Sequence, residues 1–279
     1  MPATHHNRYA SALAFVLGCA ATVGAQAQQS IKIDGSTGVA PLVAALAKAY
    51  QEKDRSVSIE IGKGLGSKAR IDALTAGSID IAMASHGLDV AAITKAGMKV
   101  SEIARTPVVF AVNSSVAGVS GLTDEQVCAI YSGERTNWKD FGGTDLAIAP
   151  RTRPDTEVDA EVARDGVNCL KTLKMSEAIK VMQRGGDMAR ELAATSGAIG
   201  MTTLTVVEQS AGKVRALSLN GVVPDEPNTI SGRYRLTREA FLVSKEQPPA
   251  AVAKFLEFAR GGEGAAVIKA NGAIPTANR

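Results

Sequence analysis

The chain has 279 residues, enough for two lobes of roughly 100–130 residues each with a sizeable buried core. Hydrophobic residues are 45% and charged residues 21%, the usage of a folded globular protein rather than a disordered one. A net charge of +3 with mixed signs and only 4% aromatics argue against a nucleic-acid surface, and three His with three Cys exclude most zinc sites and leave little room for a Ser-His-Asp triad.

The first 27 residues read as a targeting segment. Arg8 precedes an apolar run over residues 9–23, followed by Ala25-Gln26-Ala27. A basic start, an apolar middle and an A-x-A site make a secretory signal peptide cleaved after Ala27. The run is shorter than the roughly 20 residues a membrane span needs. A lipoprotein leader ending at Leu17-Gly18-Cys19 is the alternative, disfavoured by the bulky Leu two residues before the Cys. Of the 31 basic residues only Arg8 lies in this segment, with no acid, so the remainder holds 30 basic and 28 acidic residues, a net +2. It keeps one histidine, His86, and two cysteines, Cys128 and Cys169. In an oxidising compartment two such cysteines read as one disulfide, with two buried free thiols as the alternative.

Beyond the leader, strands and helices alternate. Residues 31–34 form a short strand and Gly35-Ser36-Thr37-Gly38 a turn. Val39, Leu42, Val43, Leu46 and Tyr50 then recur at helical spacing, with Pro41 tolerated in the first turn. Residues 57–61 alternate as a strand, and 62–66 form a glycine-rich loop. Ser67 is placed to N-cap a helix that stops at Gly77. Residues 79–84 are apolar enough for a buried parallel strand. Further strands are expected at 107–112, 179–182, 198–202, 214–219 and 240–243. Helices are expected from Thr123 or Asp124 to 131 and over 154–173, 187–194, 249–260 and 263–270. The polar, Pro- and Gly-rich stretch 221–235 reads as a surface loop. Repeated strand–loop–helix order points to an α/β fold with parallel sheets.

Two loops share one design: a strand, then Gly with Ser or Thr, then a helix start. Backbone N–H groups and the positive end of the helix dipole make such a turn a place for an anion. Ser36, Thr37 and the N–H of Gly38 form one cluster, and Ser67 with its neighbouring N–H groups the other. Each alone is equally a plain helix cap. Together, at the carboxyl ends of parallel strands, they mark where α/β proteins bind ligands.

These segments resemble the phosphate-binding periplasmic receptors of ABC transporters, the PstS-type branch of the periplasmic binding proteins. The matching stretches are Ile33-Asp34-Gly35-Ser36-Thr37 with Pro41-Leu42, Gly64-Leu65-Gly66-Ser67 followed by Ile71, and Asp80-Ile81-Ala82-Met83-Ala84-Ser85. Further matches are Val127-Cys128-Ala129-Ile130-Tyr131-Ser132-Gly133 with Thr136-Asn137-Trp138, Gly197-Ala198-Ile199-Gly200-Met201, and Tyr234-Arg235-Leu236-Thr237-Arg238. The resemblance implies a two-lobe periplasmic binding protein fold with a ligand cleft between α/β lobes. Residues 28–112 and 216–279 would form lobe one and 113–215 lobe two, with the first crossing at 108–112.

It also implies a site. The hydroxyls of Ser36, Thr37 and Ser67 with the Gly38 N–H would hold the anion. Ser85, followed by His86, stands where members often place a proton-accepting Asp. Arg153 aligns with the arginine of lobe two, and Arg151 would share its side if the chain is extended. The family's Ser-Gly-Thr turn is absent: Pro154-Asp155-Thr156-Glu157-Val158-Asp159 stands there, with Thr156 and Asp159 resembling a capping box. A carboxylate about 5 Å from a singly charged anion repels it by about 3 kcal/mol at an effective dielectric near 20. Glu157 and Asp159 are therefore expected to turn toward the helix or to pair with Arg151.

The function implied is an exported, periplasmic receptor that captures inorganic phosphate, without a cofactor or metal, for an inner-membrane ABC permease. A receptor for sulfate, molybdate, tungstate or a phosphonate, and a periplasmic sensing subunit, are the alternatives. An exported hydrolase is disfavoured: one histidine remains after the leader and no Gly-x-Ser-x-Gly elbow is present.

Overall fold

The computed structural model describes residues 1–3 and 28–276, so the expected leader from residue 4 onward, Cys19 included, lies outside the described residues. Strand β1 (Gln29–Gly35) pairs in parallel with β2 (Val57–Ile61) and β3 (Ile81–Ser85). Helix α1 (Ala40–Lys53) connects β1 to β2 and lays Leu42, Val43, Leu46, Ala47 and Tyr50 on the sheet, with Tyr50 edge-on to Phe255 at 5.5 Å. Helix α2 (Ser67–Ala76) connects β2 to β3 and ends on Gly77 in the left-handed conformation, as expected. Its N-cap is Gly66, so Ser67 is the first helical residue rather than the cap. A short helix α3 (Val90–Lys95), capped by Asp89, was not foreseen.

Strand β4 (Met98–Asn113) is the frame of the molecule. It runs 16 residues, far longer than the expected 107–112, because its first half carries Lys99, Glu102 and Arg105 and lacks an apolar run.

The second lobe follows: β5 (Gly121–Leu122), α4 (Asp124–Ser132), β6 (Ala149–Thr152), α5 (Val158–Gly166), β7 (Lys180–Val181), α6 (Gly185–Ala194), β8 (Ala198–Thr203), α7 (Leu204–Glu208), β9 (Val214–Ala216), β10 (Ser218–Leu219) and α8 (Glu226–Ile230). Helix α4 starts on a reciprocal capping box, Thr123 with Gln126. The expected helix over 154–173 is shorter. Pro154 and Asp155 open a turn before α5, and a single 3-10 turn, Asn168–Lys171, follows it. The indole N–H of buried Trp138 donates to the Gly197 carbonyl at 2.9 Å, so two stretches separate in sequence meet in one core. The chain returns through β11 (Thr237–Lys245), α9 (Ala250–Arg260), α10 (Gly262–Ala270) and β12 (Ile274–Pro275).

The main sheet runs β2-β1-β3-β11-β4-β8-β6-β7. From Met98 to Pro107, β4 pairs with β11; from Val108 to Val112 it pairs with β8. The change of partner is the crossing between lobes. There the Val108 N–H donates to the Leu236 carbonyl at 2.8 Å, and the Tyr234 hydroxyl donates to the Val108 carbonyl at 2.8 Å. The two crossing segments are thus bonded to each other. One apolar cluster gathers Ile31 to Ala104 with Ala240 to Ala273, and a second gathers Val108 to Leu236. The boundaries expected at 112 and 215 therefore move to Pro107/Val108 and Leu236/Thr237. Val108–Val112 and, from the later stretch, Leu217, Leu219, Tyr234 and Leu236 bury their side chains in the second core, which the strand pattern alone does not reveal.

Cys128 of α4 and Cys169 of the 3-10 turn form a disulfide spanning 41 residues of sequence. On the chain-entropy account, closing such a loop constrains the unfolded chain by about 4 kcal/mol. Urea unfolding of Cys169→Ser, or of the reduced protein, is expected to show a loss approaching that value, and an unchanged midpoint would contradict it.

Candidate functional site

Three helix starts, those of α2, α5 and α6, and the loop that leads into α1 face one cleft of about 240 Å³ between the lobes. Lobe one contributes the loop before α1 (Gly35, Ser36, Thr37), the loop before α2 (Lys63 to Ser67), Arg70 within α2, and Ser85 and His86 after β3. Lobe two contributes Thr156, Glu157 and Val158 at the start of α5 and Gln183 and Arg184 at the start of α6. The first-turn N–H groups of a helix have no intrahelical acceptor, and the helix dipole adds partial positive charge there. Convergence of three such ends makes a concave site for negative charge.

The local sequence explains the loops. Gly35 adopts φ +138° and a side chain there would collide with the Met83 backbone; Gly64 adopts φ +113° and faces the Thr37 methyl. Asp34 ties the two loops together: its carboxylate accepts from the Gly35 N–H at 2.7 Å and the Gly64 N–H at 2.9 Å. The paired glycine and hydroxyl loops read from sequence are thus one unit held by the Asp34 carboxylate at the end of β1.

Ser36, Thr37, Ser67, Ser85 and His86 all come together at the cleft. Ser67 Oγ accepts from Arg70 Nη2 at 3.2 Å, and Ser36 Oγ accepts from Arg238 Nη2 at 3.2 Å. Thr37 Oγ1 accepts from the Gly185 N–H of lobe two at 3.4 Å, a direct contact between lobes. Ser85 is turned inward and donates to the Glu239 carbonyl at 2.8 Å. His86 Nδ1 lies 2.9 Å from Glu239 Oε2. Burial pushes the Glu239 carboxyl up, but its hydrogen bond with His86, its own backbone N–H and the charges of His86 and Arg105 outweigh this and hold it below the usual range. Gly38 does not line the cleft; it packs against the Arg238 guanidinium, which a side chain there would strike.

The two arginines of lobe two do not form a clamp. Arg151 donates from Nε to Glu191 Oε1 at 2.9 Å and from Nη1 to the Pro150 carbonyl at 3.0 Å. That pair, with Lys180 nearby and a hydrogen bond from Thr195, draws the Glu191 carboxyl below its usual range against the opposing effect of burial. Arg153 is 2% exposed and stands behind the cleft wall, donating to the Met182 carbonyl at 2.9 Å and to Glu157 Oε2 at 2.6 Å. Neither arginine lines the cleft. Glu157 itself does, instead of turning away to Arg151. Asp159 leaves the cleft for Arg238, Nη1 to Oδ1 2.5 Å, both side chains being buried. The expected Thr156–Asp159 capping box is absent because the N-cap is Glu157, without a side-chain cap bond.

Arg70 at the cleft and Arg238 behind it went unread as site residues in the sequence, as did Lys63, Gln183 and Arg184 of the cleft lining. Arg238 carries only the signal of a matching stretch. Arg70 sits on an unremarkable helical face, and no local pattern marks it as buried in the site. Among the described residues no cluster of His, Cys, Asp and Glu could hold a metal ion, and no helix is long and apolar enough to cross a membrane.

The comparisons agree with this architecture. The family model described as the PBP superfamily domain matches residues 20–261. A phosphate-binding protein PstS of Bacillus subtilis is 28% identical over 244 residues, covering 84% of this chain and 76% of that protein. A Clostridium perfringens ABC transporter substrate-binding protein, solved with bound phosphate, superposes with a TM-score of 0.72 at 29% identity, covering 89% of this chain and 100% of that one. An ABC-type phosphate transport receptor from Vibrio cholerae gives 0.58 at 25% identity, covering 88% and 99%.

Arg238 joins Ser36 of lobe one to Asp159 of lobe two. Asp159→Asn would leave a buried guanidinium facing a neutral amide. Breaking a buried pair in this way costs about 3–5 kcal/mol. Urea unfolding at neutral pH is expected to show a loss of that size, and a loss below about 1 kcal/mol would mean the pair is not the interlobe tie.

Proposed function

This chain belongs to the PBP superfamily, and we propose that it is an exported receptor whose interlobe cleft captures inorganic phosphate for an inner-membrane ABC permease. The observation that carries this reading is the convergence of three helix starts and the hydroxyls of Ser36, Thr37 and Ser67 on one cleft. Such a site offers hydrogen-bond donors and partial positive charge, which suits an oxyanion and requires no bond-making chemistry. The names of its relatives, phosphate-binding proteins and phosphate transport receptors, support the same ligand and the same transport setting. The basic, apolar and A-x-A pattern of residues 1–27 supports export to the periplasm.

Capture follows from the crossing segments. Rotation about the Val108–Leu236 hinge would separate the walls, and closure brings the starts of α5 and α6 over the lobe-one loops. Closure excludes water, which strengthens each donor–anion contact. Ser36 and Ser67 each accept from an arginine and so have their own hydroxyl protons to donate to the ligand.

Glu157 selects among oxyanions. Its Oε2 accepts from Arg153, and the carboxylate remains on the cleft wall. A fully ionised anion such as sulfate, molybdate or tungstate meets repulsion there. Phosphate near neutral pH retains a hydroxyl that can donate to the carboxylate. This favours phosphate over sulfate, molybdate and tungstate.

Calorimetry with phosphate and sulfate tests the reading. Binding of phosphate but not sulfate is expected, and phosphate at 100 times its dissociation constant should add about 2.7 kcal/mol to stability. Ser67→Ala should weaken phosphate binding by about 1–2 kcal/mol through loss of a hydrogen bond to a charged group. Glu157→Gln should raise sulfate affinity more than phosphate affinity. Wild-type protein that ignores phosphate and binds another oxyanion would replace the ligand named here while leaving the receptor fold intact.

A further inference from the structure

We propose that Arg70 supplies the positive charge that holds the bound oxyanion, both directly and by orienting the Ser67 hydroxyl. This rests on the reading of the cleft as a phosphate site and names the residue that neutralises the ligand.

Three arginines near the cleft are more than nine-tenths buried: Arg70, Arg153 and Arg238. Two of them have a carboxylate at hydrogen-bond distance, Arg153 with Glu157 and Arg238 with Asp159. Arg70 is different. Among the described residues its hydrogen bond goes to Ser67 Oγ at 3.2 Å, a neutral acceptor; its Nε, like that of Arg153, is buried without a partner. Yet Arg70 forms part of the cleft wall. A guanidinium stays protonated at any physiological pH, so its charge cannot be removed by loss of a proton. A buried cation on the wall of a cavity lined by helix starts, with no carboxylate at hydrogen-bond distance, lacks an anion as its partner.

The surroundings sharpen the point. Burial lowers the proton affinity of Arg70, nearby Arg238 adds to this, and Glu157 across the cleft opposes it. Arg238 is already compensated by Asp159, and Glu157 is already engaged by Arg153. An incoming oxyanion would therefore meet Arg70 as the buried cation without a carboxylate. The Ser67 contact adds a second effect. Because Ser67 Oγ accepts from Arg70, its own proton is directed elsewhere, and Ser67 lies exposed at the cleft. A donor chain from guanidinium to hydroxyl to anion polarises each link in turn. The position also fits the helix: Arg70 is the fourth residue of α2, one turn behind the first N–H groups, so charge and dipole act on the same point.

The test uses the full-length protein with Arg70→Met, which keeps the apolar volume, and Arg70→Lys, which keeps the charge. Inorganic phosphate is titrated by calorimetry, and thermal unfolding is followed with and without it. For R70M, at least a tenfold loss of phosphate affinity is expected, together with a ligand-free melting temperature equal to or above wild type, since a buried unpaired charge has been removed. R70K should recover part of the affinity. A structural arginine behaves oppositely: R70M then melts earlier or fails to fold, and either outcome overturns the proposal. R70M binding phosphate within twofold of wild type, or R70K no better than R70M, overturns it as well. In these cases wild-type binding leaves the phosphate reading standing. Wild-type protein with no affinity for phosphate removes that reading, and this one with it.

Discussion

The buried pair of Arg238 and Asp159 is the interaction on which the cleft depends. Arg238 lies on β11, one residue past the return crossing, and Asp159 lies in the first turn of α5 in the other lobe. Neither charge has water to fall back on, so each requires the other, and their separation fixes how α5 approaches lobe one. Through its second nitrogen the same guanidinium reaches Ser36 at the ligand loop. A contact made to satisfy two desolvated charges thus also places the first binding loop against the second lobe. Gly38 is needed beside it because a larger residue would strike the guanidinium.

Around this pair the site is organised by neutralisation. The acids of α5 that look hostile to an anion are each matched: Asp159 by Arg238, Glu157 by Arg153. What remains facing the cleft is a set of hydroxyls and helix starts, His86, the exposed cations Lys63 and Arg184 and the buried Arg70, with one engaged carboxylate at the rim. The loss of the family's Ser-Gly-Thr turn is offset here from the lobe-one side, where α2 carries an arginine without a carboxylate partner. The charge that a lobe-two arginine would bring is moved across the cleft.

The crossing strand makes closure possible without disturbing either core. β4 pairs with β11 up to Pro107 and with β8 from Val108, so each half belongs to a different apolar cluster. Only the short bonded segment at Val108, Tyr234 and Leu236 has to bend. Ties across the lobes are polar, among them Thr37 with Gly185, Arg238 with Asp159, Gln209 with Pro41 and Asn271, and Lys269 with Glu226.

Much of this protein was legible in its sequence because it rests on properties of a few consecutive residues. Alternation and helical spacing mark β1, α1, β2, α2 and β3 in their order. Glycine beside Ser or Thr before a helix start marks Ser36, Thr37 and Ser67, since backbone conformation and helix-end donors are local. The two cysteines beyond the expected leader mark Cys128 and Cys169. The arginines were not legible in the same way. Arg151, two residues from Arg153, looks like half of a clamp, but Glu191 takes it from forty residues away. Arg153 looks like a ligand residue and instead braces Glu157 behind the wall. Arg70 looks like one more surface charge on a helix and is buried at the cleft. A long side chain ending in a fixed charge settles where the nearest carboxylate, carbonyl or cavity lies. Only the packing of distant segments decides which of these it finds.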